Sequence, residues 1–337
     1  MNNDKRLQAL KVWLNTQLNS DHYDLSVASA DASFRRYFRI ELNGKSYIAM
    51  DAPPEKEDCQ PFVNIAKHLF SAQINAPEIL AEDHDQGFLL LSDLGNTQYL
   101  SILNAETADA LYKDAIDTLV KIQSVSAATL PAYDRELLQT EMNLFPEWFL
   151  QQHLNIKLNP EQKQTLDNIY ECLIENALQQ PQVFVHRDYH SRNLMQTPVA
   201  NPGVLDFQDA VAGAVTYDLA SLLKDCYISW PRQQIEEWVG YYLQLAHQYK
   251  IIDPQFQFND VIQWFDFMAL QRHIKVVGIF ARLNIRDNKP AYMNDIPLTF
   301  QYIIDCCERY PLLAPLKGLL QELKIAEHLK VNWNQLP

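Results

Sequence analysis

The sequence V-F-V-H-R-D-Y-H-S-R-N-L-M-Q at residues 183–196, followed after a turn by G-V-L-D-F-Q-D at residues 203–209, decides the fold. Its first three residues are apolar β-formers, which predict a strand that runs into a polar loop. That loop carries Asp188 and, five residues later, Asn193. We therefore expect the chemistry of the protein to lie in this loop and in the segment that follows it.

A β-hairpin is predicted directly after the loop. Its first strand covers residues 194–196, and its second strand, residues 204–205, delivers Asp206. The turn between the strands contains Pro198, Asn201, Pro202 and Gly203. Such a hairpin brings Asn193 and Asp206 together at one end, beside Asp188. Two oxygen ligands and a free carboxylate in one cleft suit a magnesium-nucleotide site, since Mg2+ takes a few protein oxygens and completes its octahedron with phosphates and water.

These motifs resemble those of a known family. His186-Arg187-Asp188 with Asn193 matches the kinase catalytic-loop pattern H-R-D-x-x-x-x-N, and Asp206-Phe207-Gln208 looks like the metal-binding D-F-G with Gln for Gly. The sequence around these motifs is most similar to that of the aminoglycoside phosphotransferase and choline kinase-like family. Together with T-Y-D-L-A-S-L-L-K-D-C-Y at residues 216–227, it resembles the cell-wall amino-sugar kinases that phosphorylate the anomeric hydroxyl of N-acetylmuramate and N-acetylglucosamine.

The resemblance implies an α+β, bilobal, protein kinase-like fold. A chain of 337 residues exceeds the usual size of a single core, so two lobes with a cleft between them are expected. The strand and helix patterns before residue 92 follow the order β-β-β-α-β-β of a five-stranded antiparallel small lobe with one helix. We expect a nucleotide-binding lobe over residues 1–95 and a large, mostly helical lobe with the catalytic loop and substrate site over residues 96–337. The hinge is predicted at residues 92–95, where the backbone of Ser92, Asp93 and Leu94 would hold adenine.

The same resemblance assigns roles at the site. Asp188 is the predicted catalytic base, which orients the attacking hydroxyl and accepts its proton late in the transfer. Asn193 and Asp206 are the predicted ligands of the Mg2+ that bridges the phosphates of ATP. Asp218 is expected to tie down the catalytic loop and is not assigned to catalysis.

The predicted small lobe departs from the kinase pattern in two places. No G-x-G-x-x-G separates the first two strands, and the strand that should read V-A-I-K ends in Met50, which cannot hold a phosphate. Arg36 is the only charge on a strand face shared with Phe34, Phe38 and Ile40. We therefore predict that Arg36 replaces the missing lysine and contacts the nucleotide phosphates. The alternative is a salt bridge from Arg36 to Glu55 or Glu57.

Composition limits the partners and the compartment. The net charge of −14 argues against a nucleic-acid partner, because polyphosphate would be repelled. An enzyme that uses ATP with this charge needs a local positive field, for which the candidates are Arg35, Arg36, Arg39, Arg187 and Arg192. The five cysteines lack C-x-x-C spacing and indicate buried thiols in a reducing cytoplasm. Residues 1–20 do not form a signal peptide, and no apolar run approaches the roughly 20 residues of a membrane span. No feature specifies an oligomeric state.

Substrate contacts are predicted from position alone. Asp209 follows the predicted metal-binding motif and could accept hydrogen bonds from sugar hydroxyls. His190 and Arg192 could bind an anionic group such as a lactyl carboxylate. Glu141 could line the sugar pocket. Two alternatives to an amino-sugar kinase remain open. One is a kinase of another small alcohol, such as choline, homoserine or an aminoglycoside, whose cationic groups Asp209, Asp225 and Glu141 could bind. The other is a nucleotide-binding regulatory module without turnover.

Overall fold

The computed structural model describes residues 4–30 and 34–330. These residues form two compact units. The first unit takes in the described residues up to Ile102 together with Arg192–Asp209, and the second takes in Leu103–Ser191 and the described residues from Ala210 onward. The division expected from the sequence kept all residues from 96 onward together, whereas here the hairpin segment groups with the first unit.

The strands are short. They are β1 (Asp24–Ala30), β2 (Arg36–Leu42), β3 (Lys45–Asp51), β4 (Ile79–Asp83), β5 (Phe88–Ser92), β6 (Gln182–Val185), β7 (Leu194–Met195), β8 (Gly203–Val204) and β9 (Val211–Ala214). The helices are α1 (Lys5–Leu18), α2 (Gln60–Ser71), α3 (Tyr99–Ile102), α4 (Ala108–Gln123), α5 (Arg135–Leu144), α6 (Pro160–Leu178), α7 (Tyr217–Leu223), α8 (Arg232–Gln248), α9 (Phe258–Asp287), α10 (Ile296–Arg309), α11 (Ala314–Glu322) and α12 (Ile325–Leu329). A π-helical segment, Phe145–His153, continues α5.

The first unit contains a five-stranded antiparallel sheet in the order β1-β2-β3-β5-β4. The predicted order β-β-β-α-β-β is therefore confirmed, with α2 as the helix between β3 and β4. Asn43 and Gly44 link β2 and β3 with φ angles of 52° and 75°. Positive φ at both positions is what a two-residue type I′ hairpin requires, and the Asn-Gly pair supplies it at low cost.

The two faces of β2 have different surroundings. Phe38 and Ile40 are buried in an apolar cluster with Leu10 and Leu14 of α1. Side chains alternate along a strand, so Arg36 shares this face, whereas Tyr37 and Arg39 lie on the other. The alternation decides which arginine lies near α1 and which does not.

The second unit is mostly helical and is built around α9, whose 30 residues are largely buried. Gly278 of α9 lies against α5, because a Cβ at this position would stand 2.3 Å from the carbonyl carbon of Leu144. The helix α6 begins with a capping box in which Asn159 and Gln162 cap each other's backbone, as the Asn-Pro start predicts. The strand β6 pairs antiparallel with β9 and enters the loop that carries Asp188.

Two further properties concern the helices and the cysteines of the described chain. Within residues 4–30 and 34–330, no helix combines the length and the apolar character that crossing a membrane requires. All five cysteines are free thiols; Cys172 is partly exposed, contrary to the expectation that every one is buried, and the other four are buried.

Candidate active site

The hairpin of β7 and β8 places Asn193 and Asp206 side by side, as the sequence predicts. Leu194 pairs with Val204, and the backbone N–H of Leu205 donates to the carbonyl oxygen of Asn193 at 2.9 Å. The side-chain Nδ2 of Asn193 then lies 3.3 Å from Oδ2 of Asp206. Local backbone pairing is therefore sufficient to bring the amide and the carboxylate together.

The hairpin is held within the first unit by backbone hydrogen bonds. The N–H of Val204 donates to the carbonyl of Asn75, and the N–H of Gln196 donates to the carbonyl of Thr97, each at 2.7 Å. Leu94 packs against Gly203, where a Cβ would stand 2.9 Å from the Leu94 Cδ1. A side chain at residue 203 would therefore displace Leu94 or the hairpin.

Asp206 is fixed by its neighbours in a left-handed backbone conformation, with φ of 64°. Gln208 donates from Nε2 to Oδ1 of Asp206 at 2.8 Å, and the ring of Phe207 packs on Phe62 of α2 with centroids 4.8 Å apart. A non-glycine residue in this region costs free energy, so the surrounding contacts have to enforce it. The carboxylate is consequently oriented before any ligand binds.

The Asn193–Asp206 pair fits a divalent cation that also binds phosphate. Within the described part of the chain, no cluster of three or more His, Cys, Asp or Glu side chains can hold a metal. A carboxylate and a neighbouring amide oxygen provide too few donors for a metal that is held by protein alone. The pair suits Mg2+, which usually keeps one or two protein ligands beside phosphates and water. Asn193 can present Oδ1 to the ion if its amide group turns over, since amide O and N are assigned from hydrogen bonds.

The loop that carries Asp188 is anchored by Asp218, which has the structural role predicted for it. Its carboxylate accepts from the backbone N–H groups of His186 at 2.6 Å and Arg187 at 3.0 Å. Arg187 has φ of 76°, so the loop turns sharply there and these two hydrogen bonds hold it. Burial raises the pKa of Asp218 to about 7, although both N–H groups oppose the rise.

Asp188 is half-buried in a positively charged part of the second unit. Burial would raise the pKa of Asp188, but cationic groups around it lower the pKa overall. These groups are His190, Lys275, Arg272 and His186. The carboxylate is therefore ionised at neutral pH, and its backbone N–H donates to Nδ1 of His186 at 3.2 Å. A charged, oriented carboxylate can accept a hydrogen bond from a substrate hydroxyl.

Glu141 does not have the surroundings of a substrate contact. It is 7% exposed, it forms ion pairs with Arg187 and with Lys275, the latter at 2.8 Å, and it accepts a hydrogen bond from Tyr133. Three donors occupy most of its lone pairs. This geometry speaks against the predicted role of Glu141 in the sugar pocket, because the carboxylate already holds Arg187 and the buried Lys275.

The side chain of Arg36 is also occupied by contacts within the protein. It forms ion pairs with Asp4, the N-cap of α1, and with Asp51, which is fully buried. Its Nε donates to Asp51 at 2.9 Å, and Arg6 of α1 also binds Asp51. The charge expected on this strand face is present, but its carboxylate partners are Asp4 and Asp51 rather than Glu55 or Glu57. The arrangement speaks against a phosphate contact by Arg36.

The side chains of the predicted hinge bind protein groups. Asp93 binds Arg39 at 2.6 Å and also accepts from Ser46 and from the N–H of Gly95. The hydroxyl of Ser92 accepts from the N–H of Glu78 at 2.8 Å. These contacts fix the backbone from Ser92 to Gly95. The predicted adenine contact, made by backbone groups of Ser92, Asp93 and Leu94, stays a prediction.

The other predicted substrate residues lie at the ends of the segment that joins the two units. His190 packs edge-on against Tyr227, with ring centroids 5.7 Å apart, in the second unit. In the first unit, Arg192 accepts a hydrogen bond from Gln98 at its backbone carbonyl, and Asp209 is exposed. Their substrate roles stay predictions.

The sequence reading missed two cations of α9. Arg272 and Lys275 are both buried, and both act electrostatically on Asp188. The signal was present, because a long apolar helix carries these charges among Leu270, Ile274 and Val277. A charge on a buried helix face needs a partner, so it marks an internal charge network.

The comparison with known proteins places the chain in a family. Residues 24–255 match the phosphotransferase enzyme family. The chain belongs to this family. Two relatives named N-acetylmuramate/N-acetylglucosamine kinase resemble it along nearly the whole length. The protein from Pseudomonas putida is 49% identical over 95% of this chain and 97% of its own length, and the protein from Pseudomonas aeruginosa is 45% identical over 96% and 98%.

Solved structures show the same fold at low identity. A choline kinase from Streptococcus pneumoniae has a TM-score of 0.62 at 11% identity and covers 90% of this chain and all of its own. An aminoglycoside phosphotransferase, APH(2'')-Ib, has a TM-score of 0.58 at 14% identity, covering 88% of this chain and 98% of its own. The predicted α+β, protein kinase-like fold is therefore confirmed.

Proposed function

We propose that this phosphotransferase transfers the γ-phosphoryl group of ATP to the anomeric C1 hydroxyl of N-acetylmuramate or N-acetylglucosamine. The observation that carries the substrate class is the identity of 49% and 45% to two proteins of that name over nearly the full chain. Reuse of cell-wall amino sugars is the process that such a reaction serves.

In this proposal Asn193 and Asp206 hold Mg2+, which would neutralise charge on the phosphates of bound ATP. Asp188 orients the C1 hydroxyl and accepts its proton. A hemiacetal hydroxyl is more acidic than an ordinary alcohol, so a carboxylate of lowered pKa is a sufficient base. Asp218 keeps the Asp188 loop in place through the two backbone hydrogen bonds already described.

The engagement of two candidate carboxylates supports a neutral or anionic acceptor over a cationic one. A choline or aminoglycoside site would need carboxylates that can face the substrate, for which Asp209, Asp225 and Glu141 were candidates. Asp209 is exposed, but the other two are engaged within the protein. Asp225 is 2% exposed and accepts from the N–H of Ser191 and the N–H of Tyr227, while Glu141 holds two cations. With both carboxylates engaged, His190 and Arg192 support an acceptor that bears a carboxylate, such as the lactyl group of N-acetylmuramate.

We further propose that the protein works in the cytoplasm, where ATP is available. The free thiols support this, because none of the five cysteines is paired in a disulfide. An amino sugar is the proposed small-molecule partner.

The test is a set of reactions with ATP, Mg2+ and single acceptors. N-acetylmuramate and N-acetylglucosamine should each yield an acid-labile phosphate and lose their reducing end, whereas the methyl glycoside of N-acetylglucosamine, whose C1 hydroxyl is blocked, should yield neither. The Asp188→Asn variant should bind ADP as the parent does and lose about 100- to 10,000-fold in kcat. Phosphorylation of the methyl glycoside would refute C1 as the acceptor, and phosphorylation of choline, homoserine or an aminoglycoside in preference to the sugars would refute the substrate class.

A regulatory module without turnover is the second candidate, since Met50 stands where a kinase lysine is expected. If ATP binds but no acceptor raises ADP release above that of Asp188→Asn, the regulatory module is correct and the kinase is not.

A further inference from the structure

Arg35 directly precedes strand β2, next to the position where a kinase carries its phosphate-binding lysine. The position of that lysine is occupied here by Met50, which pairs directly with Tyr37 and is fully buried. Directly paired residues of neighbouring strands share a face, and so do residues two apart along one strand. Arg35, which precedes β2 by one residue, is two positions from Tyr37. It is therefore a diagonal neighbour of Met50, whereas Arg36 points to the opposite face.

The side chain of Arg35 is held by a carboxylate. It is 10% exposed, and Nη2 forms an ion pair of 3.0 Å with Oε2 of Glu57, which is 15% exposed. The other carboxylate oxygen of Glu57 accepts the backbone N–H of Phe34 at 3.2 Å. Glu57 therefore fixes both the side chain of Arg35 and the backbone beside it. Protein kinases use a lysine–glutamate ion pair in the same way to hold the phosphate-binding cation in place.

Two of the charges that act on Arg35 belong to the hairpin end that carries the proposed metal ligand. Burial would lower the pKa of Arg35, but acidic groups raise it overall. These groups are Tyr37, Glu57, Asp209 and Asp206. Arg35 and Asp206 both belong to the first unit, and the carboxylate of Asp206 is among the charges that raise the pKa of Arg35.

We propose that Arg35, held by Glu57, is the cation that binds the nucleotide phosphates and compensates for the lysine that Met50 replaces. The inference rests on the proposed use of ATP but not on the identity of the sugar. A guanidinium offers several N–H donors in one plane, so it can bind Glu57 through one edge and a phosphate through another. Arg35 is by this argument a nucleotide-binding residue, and Glu57 is a positioning residue.

The experiment compares the binding of Mg2+·ADP with the binding of adenosine by titration calorimetry, in the full-length protein and without any acceptor sugar. Arg35→Met should weaken ADP binding about 10- to 100-fold, the cost of losing a charge-assisted hydrogen bond, and leave adenosine binding within about twofold. Arg35→Lys should recover part of the loss because it restores the charge, and Glu57→Gln should weaken ADP selectively but less than Arg35→Met. Arg36→Met is the matched control and should lower the melting temperature without changing the ratio of the two affinities.

Three results would overturn the proposal. ADP binding by Arg35→Met equal to that of the parent would show that the guanidinium does not contact phosphate. An equal loss of ADP and adenosine would show that Arg35 only supports the fold. A selective loss of ADP in Arg36→Met, and not in Arg35→Met, would return the role to the neighbouring residue. If the parent binds neither ligand, the proposed use of ATP fails as well, which separates that failure from a failure of Arg35 alone.

Discussion

The buried ion-pair cluster around Glu141 allows a strong test of the second unit. Glu141→Gln keeps the shape of the side chain and an acceptor for Tyr133, but it removes the negative charge that faces Arg187 and Lys275. The side chains of Glu141 and Lys275 are only 9% and 10% exposed, and that of Arg187 is 21% exposed, so solvent screens them weakly. Both cations would lose the carboxylate that they share.

The expected cost is about 3 kcal/mol in the free energy of unfolding. Removing one partner of a buried ion pair costs about 3–5 kcal/mol, and the amide oxygen of Gln can still accept one hydrogen bond, which places the value at the lower end. Because a domain of this size loses about 2–4 °C for each kcal/mol, the melting temperature should fall on the order of 6–12 °C. The KM for the sugar should change little.

The assay is thermal unfolding followed by circular dichroism, together with steady-state kinetics on the folded fraction. Glu136→Gln is the control, since Glu136 lies on the same helix α5 but is exposed, and its loss should cost less than about 1 kcal/mol. A Glu141→Gln variant that melts with the parent but raises the sugar KM tenfold would refute the structural role and restore Glu141 as a substrate contact.

Two further predictions concern α9. His273 lies 2.9 Å from the carbonyl of Lys224 through Nε2, and burial lowers its pKa to about 3. In the unfolded chain the imidazole takes up a proton near pH 6.5, so His273 destabilises the folded state as the pH falls from 6.5 toward 3. His273→Gln should therefore reduce the stability lost between pH 7 and pH 5 by about 2 kcal/mol in urea titrations. An unchanged loss of stability would contradict this. Gly278→Ala should lower the free energy of unfolding by about 3 kcal/mol, because the added Cβ would overlap the backbone of Leu144. The control Gly318→Ala, with nothing within 4 Å of the added Cβ, should stabilise α11 by about 0.5–1 kcal/mol in the same titrations. The reverse order would show that α9 can shift away from Leu144.

Features that depend on nearby residues could be predicted from the sequence. The hairpin with Asn193 and Asp206 follows from two short strands and a turn rich in Pro, Asn and Gly, and the strands of the first unit follow from their short apolar runs. The helix α6 follows from Asn159 and Pro160. In each case the residues that determine the structure lie within about twenty positions of one another, so the pattern contains most of the information.

Features that depend on distant residues were missed or misassigned. The helix α5 is an exception, since it was not predicted although its cap is local: Asp134 accepts the N–H of Leu137. Strand β9 was also missed, because its four residues are fixed by pairing with β6, about thirty positions earlier. Arg36 was placed correctly on an apolar strand face, but its partner Asp4 arrives with α1, and no local pattern indicates which helix packs there.

The residues of the proposed site should differ in how they respond to distant substitutions. Asn193 and Asp206 are positioned by hairpin backbone bonds, which survive most changes of distant side chains. Asp188 depends instead on Asp218 and on the cations of α9, which reach the loop only through tertiary packing. Substitutions in α9 should therefore change the chemical step through Asp188 while leaving Mg2+·ADP binding intact. Changes at the hairpin should weaken Mg2+·ADP binding as well, so a kcat loss without a loss of nucleotide affinity identifies damage to the second unit.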